Sequence, residues 1–399
     1  SGDGRSSQGA CHPSGGGLPL SPPLSRRLRN GLAGFAAGLV RRPALTPESL
    51  RALQPARILL VRQQNQMGDM VCATPVFRAV RETWPEARIA LVTAPVNVEV
   101  VQHNPHLDEI FTYDKKAVRR PGGFFRFART LRNFRPDLAF VLGSVSFSVT
   151  SAYIALGSGA RWIVGADSEP FGFDISRRAF SLCMPSTPEV DRHAVDHSLT
   201  PLEAVGVTTN DRSTVVVPSP EEQEAADRIL ADLDLSQGFW AVHPGAGKKQ
   251  NVWPPERFAA IVSRAADGGR AVLVLHGPAD GEVLEALRAT LESRRSATDS
   301  LVKIAPPCPV GVGAALLARA DRLLCNDTGV MHVAGAVGVP TVALFGPTDP
   351  GLGKPPTDRV VAVRSPGPLP DPRGAEFGWM ENIDVETVWQ ALMALPGRS

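Results

Sequence analysis

From residue 57 onward the chain alternates short apolar runs with stretches of helical spacing. ARILLVR, RIALVT, EIFTYD, DLAFVLG and ARWIVG each read as a buried strand. Strands alternating with helices predict βαβ units and a parallel sheet. The rhythm falters through residues 166–220, where Pro and Ser are frequent. It resumes with FWAVH, RAVLVLHG, LVKIA, DRLLCN and PTVALFG, again with helices between. Two α/β halves joined near PSPEE, at 218–222, are the simplest account. A last helix is expected over roughly 384–396. The expected units are thus 1–56 (an N-terminal segment), 57–218, 219–383, and 384–399 (a closing helix and tail).

Residues 1–23 are rich in Gly, Ser and Pro and read as disordered. In LSRRLRNGLAGFAAGLVRR, Leu24, Leu28, Leu32, Phe35 and Leu39 recur at helical spacing between arginines. That pattern fits a basic amphipathic helix lying on an anionic membrane. The blander readings are a helix packed on the protein or a floppy tail. The apolar part is short, starts late and lacks a clear cleavage site, which argues against a secretory signal. The chain opens Ser1-Gly2 rather than Met, which reads as a processed end.

Composition narrows the classes. The 399 residues suit two domains, and 43% are hydrophobic, enough for two cores. The 42 basic and 40 acidic residues leave +2, which argues against a nucleic-acid partner. Cys11, Cys72, Cys183, Cys308 and Cys325 are dispersed with no C-x-x-C, as in a reducing cytosol. No apolar run reaches the ~18 residues that suggest a membrane span.

In α/β sheets ligands sit beyond the carboxyl ends of the strands. Three such loops in the second half stand out. HPGAGKKQNVWP (243–254) offers Gly245 and Gly247 for close backbone approach, with Lys248 and Lys249 as charge. HGPADGE (276–282) carries Asp280 and Glu282. In NDTGVMHVAGA (326–336), Thr328 and Gly329 open a helix and His332 lies one turn in. A helix start with free N–H groups is an anion site. Taken singly these residues have ordinary readings: Thr328 as an N-cap, His332 as a half-buried histidine, both lysines as solvated loop charges. Together they point to a diphosphate or nucleotide site. In the first half, QQNQMGDMVCATP (63–75) places Asp69 just after the first strand. A carboxylate there fits a general base and fits a turn or cap aspartate. The fingerprints G-x-x-x-x-G-K-[ST] and G-x-G-x-x-G after the first strand are absent. No histidine pair has metal spacing, and neither a metal nor a cofactor is expected.

VRQQNQMGDMVCATPVFRAVRETWPEARI, HPGAGKKQNVWPPERFA and NDTGVMHVAGAVGVPTVALFGPTDP resemble, in order, three signatures of glycosyltransferase family 9, the ADP-heptose:lipopolysaccharide heptosyltransferases and their relatives. The resemblance covers about residues 57–396. It implies a GT-B fold, two Rossmann-like domains facing each other across a cleft, with the donor mainly on the second. It also implies inverting, metal-independent transfer of a sugar from a nucleotide diphosphate to a glycan or glycolipid acceptor in envelope glycan synthesis. The expected place is the cytoplasm, peripheral on the cytosolic face of the inner membrane. By the same resemblance Asp69 is the catalytic base, Asp327 contacts the donor sugar, and Thr328 and Gly329 bind the diphosphate with His332 nearby. Asp280 and Glu282 would hold the ribose. Two departures bear on donor and acceptor. Family members often place a lysine just before Trp-Pro; here Asn251-Val252-Trp253 stands there, and Lys248 is expected to supply the charge. VLGSVSFSVTSAY replaces a stretch that is often acidic in the family and contains Gln-Gly. The alternative functions are a GT-B sugar-nucleotide epimerase and a non-catalytic nucleotide-sugar binder.

Overall fold

The computed structural model describes residues 42–143, 146–294, 298–367 and 378–397. The stretch 24–42 read above as a basic amphipathic helix lies, except for Arg42, outside the described residues.

The first six strands are β1 (Arg57–Arg62), β2 (Arg88–Thr93), β3 (Glu109–Thr112), β4 (Leu138–Val141), β5 (Trp162–Ala166) and β6 (Leu182–Met184). They pair in the order β3-β2-β1-β4-β5-β6, parallel throughout. The second six are β7 (Trp240–His243), β8 (Val272–Val274), β9 (Val302–Ile304), β10 (Arg322–Asn326), β11 (Thr341–Phe345) and β12 (Val360–Arg364). Their order is β12-β11-β10-β7-β8-β9, again all parallel. Counted from its own first strand, each half has the doubly wound 3-2-1-4-5-6 order. The order reverses between β1 and β4 in one sheet and between β7 and β10 in the other. Ligands of such sheets bind at this switch point, beyond the carboxyl ends. The loops after β1, β7 and β10 are therefore singled out by topology alone.

The central strands are buried on both faces, and Ile58, Leu59, Leu60 and Val61 are all fully covered. That explains why β1 reads as a continuous apolar run rather than an alternating one. β6 and β12 lie at sheet edges and were not expected from the apolar rhythm.

The fold begins before residue 57. Thr46 caps a helix at Pro47–Ala52 through a capping box with Ser49, and Pro47 sits at its start. Leu50 of this helix is fully buried, and Leu45 N–H donates to Ser181 O at 2.9 Å. Residues 45–53 pack on the first half, because Leu50 belongs to its core. At the other end, the helix Val385–Ala394 closes on the second half, Trp389 lying 5.7 Å from the Trp240 ring.

The two halves are packed together, not merely tethered. One buried apolar cluster runs from Ile58 and Leu60 through Met70 and Val71 to Met331 and Phe345. The connecting segment is fixed too. Val215 N–H donates to Thr74 Oγ1 at 2.9 Å, and Arg78 donates to the carbonyls of Asp211 and Ser213 at 2.7 and 3.0 Å.

Candidate functional site

The chain leaves β1 through Gln63–Gln66 and enters a six-residue helix, Met67–Cys72. Asp69 lies in its first turn, where a carboxylate is favoured by the helix dipole. Gln66 holds the N-cap position and no side chain caps the helix. Among the described residues the Asp69 carboxylate makes no hydrogen bond, so neither a cap nor a turn uses it. Arg62, at the end of β1 and only 3% exposed, donates from Nη2 to the Asp69 carbonyl at 3.2 Å. Burial pulls the Arg62 pKa down, and Asp69 and Cys72 oppose that; a guanidinium keeps its charge regardless. A cavity of about 130 Å³ opens here, lined by Arg62, Asp69, Cys72, Arg192, His197 and, from the second half, Leu352.

Opposite stands the start of the helix Gly329–Val337. Thr328 takes the N-cap position in extended conformation, yet its hydroxyl makes no capping bond. Met331 N–H donates to Thr328 O at 3.0 Å, and the Gly329 and Val330 amides keep their anion-binding capacity. The two helix starts touch. A Cβ on Gly329 would come within 2.5 Å of the Met67 methyl carbon, and one on Gly68 within 2.7 Å of the His332 ring. Gly68 is required by this close approach to the His332 ring, whereas at Gly329 the atom met is the end of a flexible methionine. The approach brings the helix that carries Asp69 against the one that Thr328 and Gly329 open, although they are far apart in sequence.

His332 joins the halves. Its Nδ1 lies 3.3 Å from Cys72 Sγ. Burial, with a smaller contribution from His193, pushes the imidazole down to about 4. Burial, with the nearby Asp69 charge, pushes the Cys72 thiol up to about 12. Both groups are neutral near pH 7, so one hydrogen bond joins them, the thiol donating to Nδ1 or Nδ1–H donating to Sγ according to the tautomer. A histidine kept below its ordinary 6.5 loses stability for the fold as pH falls. The loss begins near pH 6.5, where the unfolded chain takes up the proton, and is complete below about 4. His332→Gln is expected to flatten this acid limb by on the order of 1–2 kcal/mol, after discounting for partial exposure. Urea unfolding of both proteins at pH 7 and pH 4.5 measures it; equal losses would contradict the assignment.

The loops after β7 and β10 are tied together. Asn326, fully buried, donates from Nδ2 to Pro244 O at 2.8 Å and accepts from Trp253 N–H at 3.1 Å. Trp253, also fully buried, donates from Nε1 to Ile383 O at 2.9 Å. This anchor sets Asn251 beside Asp327, with Nδ2 to Oδ2 at 3.3 Å. Thr348, from the loop after β11, donates to the same Oδ2 at 2.6 Å. Burial raises the Asp327 pKa, while the Thr348 hydrogen bond and the Lys248 charge pull it back. Lys248, itself exposed, thus acts electrostatically on Asp327. The amide oxygen Asn251 Oδ1 is buried and unpartnered, an acceptor left open beside Asp327.

The remaining expected residues fall elsewhere. Asp280 is buried and already engaged: Gly277 N–H donates to Oδ2 at 2.6 Å and His243 Nε2 lies 3.3 Å from it. Burial pushes its carboxyl up, but these bonds outweigh that and hold it below the usual range. Gly245 is explained by the same aspartate, since a Cβ there would lie 2.0 Å from Asp280 Oδ1. Gly247 faces open space. Glu282 is at the surface, paired with the equally exposed Lys249 at 3.5 Å. The structure therefore gathers Asp69, Gly329, Thr328 and His332 around one contact. Asp327 and Lys248 lie beside it, and Glu282 and Lys249 form a separate surface pair. Arg62, Asn251 and Thr348 were not singled out as site residues from sequence. Among the described residues no group of three or more His, Cys, Asp or Glu could hold a metal ion, and no helix is long and apolar enough to cross a membrane.

The chain is similar to known proteins across most of its length. The family model for glycosyltransferase family 9 (heptosyltransferase) matches residues 124–373. Lipopolysaccharide heptosyltransferase 3 of Escherichia coli is 22% identical over 285 residues, covering 71% of this chain and 81% of that protein. The glycosyl transferase family 9 structure from Veillonella parvula superposes with a TM-score of 0.73 at 23% identity, covering 88% of this chain and 98% of that one. The E. coli ADP-heptose lps heptosyltransferase II structure gives 0.68 at 21%, with 85% and 98% covered. These likenesses establish the GT-B architecture, two doubly wound α/β halves meeting at their switch points. The matched segment holds the loops after β7, β10 and β11 that meet at Asp327, and the chain belongs to glycosyltransferase family 9, the heptosyltransferase family.

Proposed function

We propose that the protein transfers a heptose-like sugar from an ADP-type nucleotide diphosphate to a glycolipid acceptor of the lipopolysaccharide core, with inversion and without a metal. The observation that carries this reading is the packing of the short helix that bears Asp69, through Met67 and Gly68, against the helix that Thr328 and Gly329 open. A diphosphate at that start would be held by the first-turn amides, the Thr328 hydroxyl and Lys248. The same groups would stabilise the charge that builds on the leaving diphosphate, which is the task a cation performs in other sites. Asp327, held by Asn251 and Thr348, would accept hydrogen bonds from the sugar hydroxyls. The acceptor would enter the cavity beside Asp69, and its hydroxyl proton would pass to that carboxylate. Attack from the Asp69 side, with the diphosphate leaving on the other, inverts the anomeric carbon in one displacement. The relatives named for ADP-heptose support the donor class; residues 57–218, with 45–53 packed on them, would form the acceptor half and 219–383 the donor half.

The test is transfer from ADP-heptose to a lipopolysaccharide-core glycolipid, followed by NMR with and without EDTA. An inverted product and undiminished release of ADP in EDTA are expected. Retention, an epimerised donor, or activity restored only by Mg²⁺ or Mn²⁺ would overturn the reading.

A further inference from the structure

The segment after β3 carries a surface unlike the rest of the protein. From residue 115 to residue 136 there is no acidic side chain. Lys115, Lys116, Arg119, Arg120, Arg126 and Arg129 are all exposed, and none forms an ion pair among the described residues. Elsewhere surface arginines are commonly paired, as Arg81 is with Asp108 and Arg212 with Glu203. The whole chain carries only +2, so this charge is concentrated locally.

The helix Gly123–Phe134 turns Ala128, Leu131 and Phe134 into the core. Phe127 packs edge-on against Tyr113 at 5.4 Å. Its outer face instead presents Phe125, 79% exposed, in sequence beside Arg126 and one turn from Arg129. Leaving such a ring in water forgoes the gain that burial of an aromatic side chain brings. An aromatic ring among unpaired cations is the composition of a surface that sits at a membrane interface. Lys115 and its neighbours follow the carboxyl end of β3. In a parallel sheet that is the edge from which Asp69 also projects.

We propose that this surface docks on an anionic lipid bilayer, Phe125 entering the headgroup region while the surrounding lysines and arginines sit over acidic headgroups. The docked molecule would turn the acceptor edge of the first half toward the bilayer. Docking of this kind is independent of the transfer chemistry, and binding alone reads it out.

The experiment is co-sedimentation of the full chain with vesicles of phosphatidylglycerol and phosphatidylcholine, and with phosphatidylcholine alone. Binding only to the anionic vesicles is expected, weakening as salt rises. Each juxtamembrane cation contributes roughly fivefold. The double variant Arg126→Glu/Arg129→Glu is therefore expected to bind at least about tenfold more weakly. Phe125→Ser should bind about fivefold or more weakly. Both should melt at the wild-type temperature, since these side chains are exposed. Failure of the wild type to bind, or variants that bind as it does, would overturn the proposal. So would equal affinity for a soluble polyanion such as duplex DNA with no dependence on Phe125.

Discussion

Asp69→Asn is expected to lower turnover by about 10²-fold or more while leaving the affinity for the nucleotide sugar nearly unchanged. Asparagine keeps the size and the helix position but cannot take a proton from the acceptor. The helix should be unaffected, because the carboxylate caps nothing: Gln66 holds the cap position and no side chain bonds there. The Arg62 hydrogen bond goes to the Asp69 carbonyl, which the substitution keeps. The groups proposed to hold the diphosphate, Thr328, Gly329 and Lys248, belong to the second half, so donor binding has no reason to change. Steady-state rates with saturating donor, alongside calorimetric titration of the donor, separate the two effects. Near-normal turnover would show that another group takes the proton.

Lys248→Ala is expected to weaken binding of the nucleoside diphosphate about 10- to 100-fold, the loss of one charged hydrogen bond of ~1.5–3 kcal/mol. Asn251 occupies the place where family members often carry a lysine, and its Nδ2 is spent on Asp327. Lys248 is the cation whose charge reaches that aspartate. Lys249 points to the surface and pairs with Glu282, both more than four-fifths exposed. Its removal should therefore change affinity by less than about fivefold, as for other exposed pairs. Comparable losses for both lysines in calorimetry would mean that neither faces the phosphates.

The parallel architecture was legible because central strands are buried on both faces and read as apolar runs. β1, with four consecutive fully buried residues, is the clearest case. β6 and β12 were not legible. β6 is three residues long, β12 is only partly buried, and both lie at edges where apolar pressure is weak. The helix at Pro47–Ala52 had a readable signal, Thr46-Pro47 before an apolar residue, hidden beside a Gly- and Ser-rich start. The loops of the site could be found because topology places ligands beyond strand ends. Their mutual contacts could not. The need for glycine at 68 is set by a histidine 264 positions later, and Thr348 reaches Asp327 from a different strand. Arg62 reads as a polar strand end, and only the packed structure shows it buried beneath Asp69. Asn251 could be read only as a missing lysine, whereas packing makes it a partner of Asp327 with one acceptor unfilled.

The most direct test is a crystal structure of the Asp69→Asn protein with ADP-heptose, in which the donor should survive. The account predicts the diphosphate within hydrogen-bonding distance of the Thr328 hydroxyl and the Gly329 amide. Lys248 should lie beside it, and the face of the anomeric carbon opposite the leaving oxygen should be turned toward residue 69. A diphosphate bound away from that helix start, or an anomeric carbon turned from residue 69, would contradict it.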